Sequence, residues 1–413
     1  MPSDSRGSAA PLAGVRVIDC STVLAGPYCT MLLSDLGADV VKVEPPEGDG
    51  TRGWGPPWVG SEEKGSRTAA YFLAVNRDKR SIRLDLRTED GREVLRRLLA
   101  GADVLVENFR VGGFARLGFD DETLRALNQR LVHLAISGYG PDGPAADRPG
   151  YDFVIQAESG LMSITGAPDG EGGEPTKVGV AIADVVTGLH GAVAVLGALA
   201  GRERSGADGA GARIDTSILE SALAVLVNQA QNAFVTGAAP GRRGNAHPNI
   251  VPYETFATAD GTIAIGVGSE RQWPRFCAAL DLPELADDPR FVTNELRVDH
   301  RAELRLLLAA RLATDTTTAW LDRFEAAEVP CGPIRNVVEA FAARQAQARG
   351  MAVEVEHPAF GVLRQVGAPF SIDGVKPRPR RAPPLLGEHT DEILAELGYD
   401  DRAVVALREA GAV

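Results

Sequence analysis

Asp184 is the side chain with the most obvious capacity for chemistry. It ends a short apolar run that starts at Thr176 and opens an Ala-, Val- and Leu-rich segment to Ala200, with small residues at Gly188, Gly191 and Gly197. The acid therefore stands where a helix should begin. A carboxylate there has two uses. It can cap the helix, accepting a first-turn N–H and complementing the positive end of the dipole. It can also be aimed at the surface as a nucleophile, ionised near neutral pH at an ordinary pKa of about 3.9 without a partner base. Pattern alone favours the cap, and the spacing allows both.

Other groups could serve such a nucleophile. Asn76, Arg77, Lys79 and Arg80 form a dense basic cluster before a strand expected over 81–85; it reads as a solvated turn or as a site for phosphate or carboxylate, which Arg grips by two parallel hydrogen bonds. In the turn Val23 to Pro27, Gly26 could admit a ligand to the backbone and Pro27 suits a first helical position, with free N–H groups facing any anion. Gly266 to Ser269 is small enough to approach a reacting centre or to be a plain turn. Trp54 and Trp58 lie in a Gly- and Pro-rich loop that could cover a pocket. Asp152 reads as the cap of a helix expected over 151–160, and Glu158 as a carboxylate on its side.

The elements that must position these groups alternate. A strand at Val15 to Ile18, a helix at 28–36 and a strand at 38–44 make a β–turn–α–β unit. An amphipathic helix at 90–99, a strand at 103–109, a helix at 121–127 and a strand at 131–137 repeat it. This predicts an open, largely parallel α/β sheet with ligands at the carboxyl ends of its strands, near Ser21 to Gly26, Asn108 and Phe109, and Ser137 to Gly140. After a turn-rich, hairpin-like stretch, 216–234 reads as one long helix. Short strands and helices follow, and the end of the chain is expected to return to the large domain. The expected layout is 1–220 with 331–413 as a large Rossmann-like domain and 221–330 as a smaller α+β domain.

At 413 residues the chain exceeds what one core usually holds. Its 43 basic and 56 acidic residues give a net charge of -13, which argues against a nucleic-acid surface. Four cysteines without CxxC or Cys/His spacing fit buried thiols in a reducing compartment and no metal site. With no signal peptide or confident membrane span at hand, a cytoplasmic protein without a membrane partner is expected. The first dozen residues read as a loose polar tail.

Several motifs in fixed order carry a resemblance: the DCSTVLAGPYCTMLLSDLGADVVKVEPP stretch from Asp19, VNRDKRSIRLDL, ADVLVENFRVG, GYGPDGP, ADVVTGLHGAVAVLGAL and PPLLGEHT. Together they resemble the family III coenzyme A transferases over nearly the whole chain, most closely the members acting on small dicarboxylates. The resemblance implies an aspartate nucleophile at Asp184 and two chains interlocked in a homodimer. It implies coenzyme A contacts at Val23, Ala25, Gly26, Lys79, Arg80, Asn108, Phe109 and Arg116, and a glycine loop over the nucleophile at Gly266 and Gly268. Substrates would be an acyl-CoA, of the succinyl-CoA kind, and a free acid such as glutarate. Coenzyme A enters as a thioester substrate, with no permanently bound cofactor. Tyr151 would line the substrate site, and Arg77, then Arg271, would hold the acceptor's far carboxylate. Leu24 and Pro45 depart from the family's glutamine and arginine. A racemase on the same fold would have a histidine in place of Tyr151, whose ordinary pKa near 10 makes it a poor base. A non-catalytic acyl-CoA-binding protein is the third reading.

Overall fold

A computed structural model describes residues 10–61, 67–170 and 172–413; most of the expected N-terminal tail, residues 1–9, lies outside them. The chain divides into two units. The first comprises residues 1–161, 178–228 and 344–413, and the second 162–177 and 229–343. The units thus divide at 228 and 343 rather than at 220 and 330, and the short segment 162–177, expected in the large domain, groups with the second unit.

The first unit is built on a six-stranded sheet in the order β5-β2-β1-β6-β7-β8. Its strands are β1 (Arg16–Cys20), β2 (Asp39–Glu44), β5 (Lys79–Arg83), β6 (Val104–Glu107), β7 (Val132–Ser137) and β8 (Arg213–Ser217). Every pairing is parallel, with Ile18 between Val41 and Leu105 in register. Parallel strands are covered on both faces, so adjacent residues such as Val17 and Ile18 are both buried. The remaining strands of this unit are a small hairpin, β3 (Trp58–Val59) with β4 (Thr68–Ala69), and a second one late in the chain.

Helices α1 (Ala25–Asp35) and α7 (Ile182–Arg204) cover one face through Cys29, Leu33, Ala192 and Val195. The other face is covered by α3 (Glu89–Ala100), α5 (Asp121–Leu127) and, from the far end of the chain, α16 (Thr390–Glu396) and α17 (Asp401–Glu409). Shorter α2 (Ala70–Ala74), α4 (Gly113–Arg116), α6 (Asp152–Glu158) and α8 (Ile218–Ala224) sit at the strand ends. Helix α7 is long and apolar enough to cross a membrane by composition. One face is nonetheless buried on α1 and the sheet, and it carries Asp184 and Arg202 among its buried residues.

Edge strand β5 is closed by residues from more than 300 positions later. Asp78 Oδ1 accepts the backbone N–H of Arg380 and Arg381 at 2.5 and 2.6 Å. Ser81 accepts from Gly387 through its hydroxyl and from His389 through its carbonyl. The Asp85 N–H reaches the Ala412 carbonyl.

Two expectations change here. The stretch at 213–217 is the sixth parallel strand, not part of a hairpin. The helix expected at 216–234 is broken into α8 and α9 (Val227–Thr236), with Val227, the first residue of α9, at φ +40.

In the second unit, antiparallel β9 (Tyr253–Ala257), β10 (Thr262–Gly266) and β11 (Cys331–Pro333) pack against α10 (Gln272–Ala279), α12 (Arg301–Leu312) and α13 (Thr317–Ala326). Trp273, Phe276, Trp320 and Phe324 form the core. Buried Arg297, on α11 (Asn294–Asp299), ties the Val251 and Phe291 carbonyls to Glu270.

Candidate active site

At the carboxyl ends of β1, β6 and β7 lies a cavity of about 480 Å³ in the first unit. Val23 and Ala25 from the β1–α1 turn, Asn108, Phe109 and Arg116 after β6, Tyr151 before α6, and Asp184 in the first turn of α7 line it. The structure therefore gathers the expected nucleophile and much of the expected ligand set in one place. Arg110 and Arg148, which the sequence reading missed, line it as well. Among the described residues the side chains of Arg110 and Arg116 have no ion-pair partner, whereas Arg148 pairs with Glu158 at 2.5 Å and lies over the Tyr139 ring.

Asp184 is not the cap of its helix. The N-cap is Ala181, which has no side chain to offer, and Asp184 falls three residues on. The capping is done from α6: Asp152 Oδ1 accepts the N–H of Ala183 at 2.8 Å and, more distantly, that of Asp184 at 3.4 Å. Asp152, expected to cap α6, thus caps α7, and α6 itself has no side-chain cap. The Ile182 and Val185 N–H groups bond to the Val180 and Ala181 carbonyls. The first-turn amides of α7 are therefore all occupied, and none remains for an oxyanion.

Burial dominates the electrostatics of Asp184. The residue is only 8 % exposed, and among the described residues no donor reaches its carboxylate. Loss of solvent, with the Asp152 charge adding to it, raises its pKa to about 7. The ordinary carboxylate pKa expected from sequence is corrected by this surrounding. Tyr71 on α2 lies within electrostatic reach, and burial, then the Asp184, Asp152 and Asp49 charges, push its pKa up to about 12. Trp54 of the aromatic loop packs edge-on against Tyr71 at 5.2 Å between ring centroids.

Backbone geometry fixes the turn opposite. Val23 is at φ +72, a left-handed conformation that costs a branched residue roughly 1–3 kcal/mol. Asn108 holds it in place, its amide accepting from the Thr22 N–H at 2.9 Å and donating to the Thr22 carbonyl at 2.8 Å. That amide works as a brace, although the residue borders the cavity. Gly26 is buried and does not line the cavity; a Cβ there would stand 2.2 Å from Ser21 Oγ, so close packing requires the glycine. The N–H groups of Leu24 and Ala25 have no partner among the described residues.

The basic cluster supports the site from below and does not line it. Strand β5 starts earlier than expected and takes Lys79 and Arg80 into the sheet. Lys79 Nζ bonds Asp19, Asn76 and the Pro27 carbonyl at 3.0, 2.9 and 2.9 Å, with no exposed surface. Burial opposes ionisation of Asp19, but the Lys79 and Lys42 charges and the Ser21 and Thr30 hydroxyls outweigh it and hold its pKa at about 2. Arg80 pairs with Asp39, Glu392 and Glu396. Arg77 is buried against Asp35, Nε to Oδ1 at 3.0 Å and Nη2 to Oδ2 at 2.5 Å. The expected coenzyme A contacts of Lys79 and Arg80, and the expected substrate contact of Arg77, are therefore corrected: these cations are already neutralised inside the first unit.

Gly266, Gly268 and Arg271 belong to the second unit. The N–H groups of Gly266, Val267 and Gly268 reach the Pro330 and Pro252 carbonyls and Gln272 Oε1. The loop is thus a hydrogen-bonded end of β10. Arg271, at the start of α10, has no side-chain partner among the described residues.

The sequence profile of CoA-transferase family III matches residues 12–390. The chain is 45% identical to the succinate–glutarate CoA-transferase of Agrobacterium fabrum over 393 residues, covering 95% of this chain and 97% of that one. It is 41% identical to the human succinyl-CoA:glutarate CoA-transferase, covering 100% of this chain and 92% of that one. Among solved structures, a CAIB/BAIF family protein from Brucella suis superposes with a TM-score of 0.82 at 44% identity, covering 94% of this chain and 100% of that one.

Proposed function

The chain belongs to CoA-transferase family III, and from that premise we propose that it moves coenzyme A from succinyl-CoA to glutarate or a similar small dicarboxylate, with Asp184 as the nucleophile. The observation that carries this reading is the buried Asp184 carboxyl, which no donor reaches among the described residues, in the wall of a cavity that also holds Arg110 and Arg116, both without an ion-pair partner among those residues. A desolvated, more basic carboxylate is the better nucleophile once ionised.

In the proposed cycle an Asp184 oxygen attacks the thioester carbonyl and the C–S bond breaks, giving an aspartyl–acyl anhydride and coenzyme A thiolate. The thiolate attacks the Asp184 Cγ, the anhydride C–O bond breaks and the donor acid leaves as its carboxylate. An aspartyl thioester remains. The acceptor carboxylate then displaces the thiolate from Cγ, and the thiolate takes the acceptor's acyl group from the new anhydride, restoring the Asp184 carboxylate. No proton is gained or lost over the cycle, and activation is kept as anhydride or thioester throughout, so no redox or metal step is required. The unpaired Leu24 and Ala25 N–H groups are the donors we assign to the transient oxyanions, in place of the occupied α7 amides. Arg110 and Arg116 suit the phosphates of coenzyme A. The hydrophobic side chains of Phe234, Val235, Val337 and Val338 are exposed in the single chain and suit burial in a homodimer. Four free cysteines, three of them buried, fit a cytoplasmic setting.

The test is to mix the enzyme with succinyl-CoA and glutarate. Glutaryl-CoA and succinate should form, and hydroxylamine added during turnover should leave a hydroxamate on Asp184. Transfer that survives Asp184→Asn at the parent rate sinks the reading.

A further inference from the structure

We propose that Asp152 is a positioning residue for the nucleophile, one carboxylate oxygen fixing the first turn of α7 while the negative charge of the same group acts on Asp184. This rests on the reading of Asp184 as nucleophile.

The two Asp152 oxygens have separate partners. Oδ1 takes the Ala183 N–H at 2.8 Å and the Asp184 N–H at 3.4 Å, while Oδ2 takes Gln156 Nε2 at 2.7 Å. Gln156 sits one turn along α6, is fully buried, and uses its own Oε1 to hold the Val178 N–H at 2.9 Å. The segment entering α7 and the first turn of α7 are thus tied to one α6 face by an acid and an amide four residues apart. Among the described residues no other side chain caps this turn, since Ala181 cannot. The arrangement holds the Asp184 backbone in place and brings a second carboxylate up to it, with Asp152 Oδ1 3.4 Å from the Asp184 nitrogen. Like charges at such range favour the neutral form of one partner.

Other titratable groups on the elements around α7 do not substitute for Asp152. From α1 come Tyr28 and Cys29, both raised by burial. Tyr71 on α2 is likewise raised, to about 12. Glu158 of α6 pairs with Arg148, and Glu220 of α8 accepts from Ser217. His190, on α7 itself, meets Ser221. His133 of β7 and Arg213 and Asp215 of β8 bond among themselves. At the far end of α7, Arg202 pairs with Asp103 and Glu203. Among the described residues, Asp152 is the charged group that bears on the Asp184 carboxyl.

The experiment is a pH profile of kcat/KM for the acyl-CoA in the parent, Asp152→Asn and Asp152→Ala. The parent should gain activity with a midpoint near 7. Asp152→Asn keeps an acceptor for the α7 amides but loses the charge, so its midpoint should fall by about one pH unit. Asp152→Ala loses both functions, and its activity should drop at every pH along with its melting temperature. The infrared carboxyl band of Asp184, isolated as the difference between parent and Asp184→Asn, titrates without turnover and should move by the same amount in Asp152→Asn. An unmoved midpoint in Asp152→Asn by either readout overturns the proposal, even if activity falls. Turnover by Asp184→Asn would instead overturn the nucleophile assignment, whatever Asp152 does.

Discussion

A side-chain carbon placed on Gly188 would stand 2.6 Å from the carbonyl oxygen of Ala25, with Tyr28 Cδ1 at 3.1 Å and the Cys29 nitrogen at 3.3 Å. Helices α1 and α7 therefore touch backbone to backbone one turn after Asp184, which sets how far the nucleophile lies from the Val23 to Ala25 turn. Helix propensity favours Ala over Gly by about 1 kcal/mol. Gly188→Ala should nevertheless lower both melting temperature and kcat/KM, because the obstructing atoms are mainly backbone and cannot rotate away. Gly197→Ala in the same helix, where nothing lies within 4 Å of the added carbon, should raise the melting temperature and leave activity alone. Equal effects at the two positions would refute the close crossing.

Asp184 also makes stability depend on pH. Its pKa is raised on folding to about 7, first by burial and then by Asp152. Between the ordinary carboxylate range and about 7 the native state therefore holds more protons than the unfolded chain, and stability falls as pH rises through that window. Asp184→Asn, with no proton to lose, should gain on the parent in stability as pH rises from 5 to 8, by a differential on the order of 3 kcal/mol. Thermal melts at the two pH values decide it; a difference independent of pH contradicts the raised pKa.

Arg77 and Arg271 should now behave in opposite ways. Arg77→Ala leaves Asp35 buried without its counter-ion, a loss of about 3–5 kcal/mol, yet the ratio of dicarboxylate to monocarboxylate use should stay at the parent value. On the expectation from the family resemblance that Arg271 holds the acceptor's far carboxylate, Arg271→Ala should leave the melting temperature unchanged and raise the Michaelis constant for dicarboxylates about tenfold or more, roughly 1.4 kcal/mol. Acceptor kinetics with glutarate and with a monocarboxylate separate the two; a changed preference in a folded Arg77→Ala would restore Arg77 to the substrate.

Arg110 and Arg116 should act on the acyl-CoA alone. Arg110→Ala and Arg116→Ala are expected to raise the Michaelis constant for succinyl-CoA with little change in kcat, most visibly at low ionic strength, where exposed charges are least screened. The Michaelis constant for the free acid should not move. An effect on the acid alone would place these side chains at the other substrate.

Local pattern made the sheet legible. Val17 and Ile18 read as a buried strand because a parallel strand covered on both faces needs no alternation, and Asp184 stood out because an acid before an apolar run marks a helix start. What stayed hidden depended on distant partners. Nothing near Arg77 announces Asp35, 42 positions away, and nothing near Asp152 announces Ala183, 31 positions away. A cluster of cations reads as exposed until the carboxylates that bury it are known. The i, i+4 spacing of Asp152 and Gln156 was the one available signal of a clamp, but a cap for its own helix explains that acid equally well until the fold is seen. The break at Val227 was hidden for another reason: a β-branched residue at positive φ is uncommon enough that pattern argues against it.

The closure of β5 by Arg380, Gly387, His389 and Ala412 sets an order of events during synthesis. A ribosome must deliver the whole second unit before it makes the residues that complete the edge strand carrying Lys79. The nascent protein therefore waits with an open sheet edge next to the Lys79–Asp19 pair that the finished fold buries completely. Premature stop codons beyond residue 378, although far from Asp184 in sequence, should leave products that aggregate rather than shortened enzymes that work.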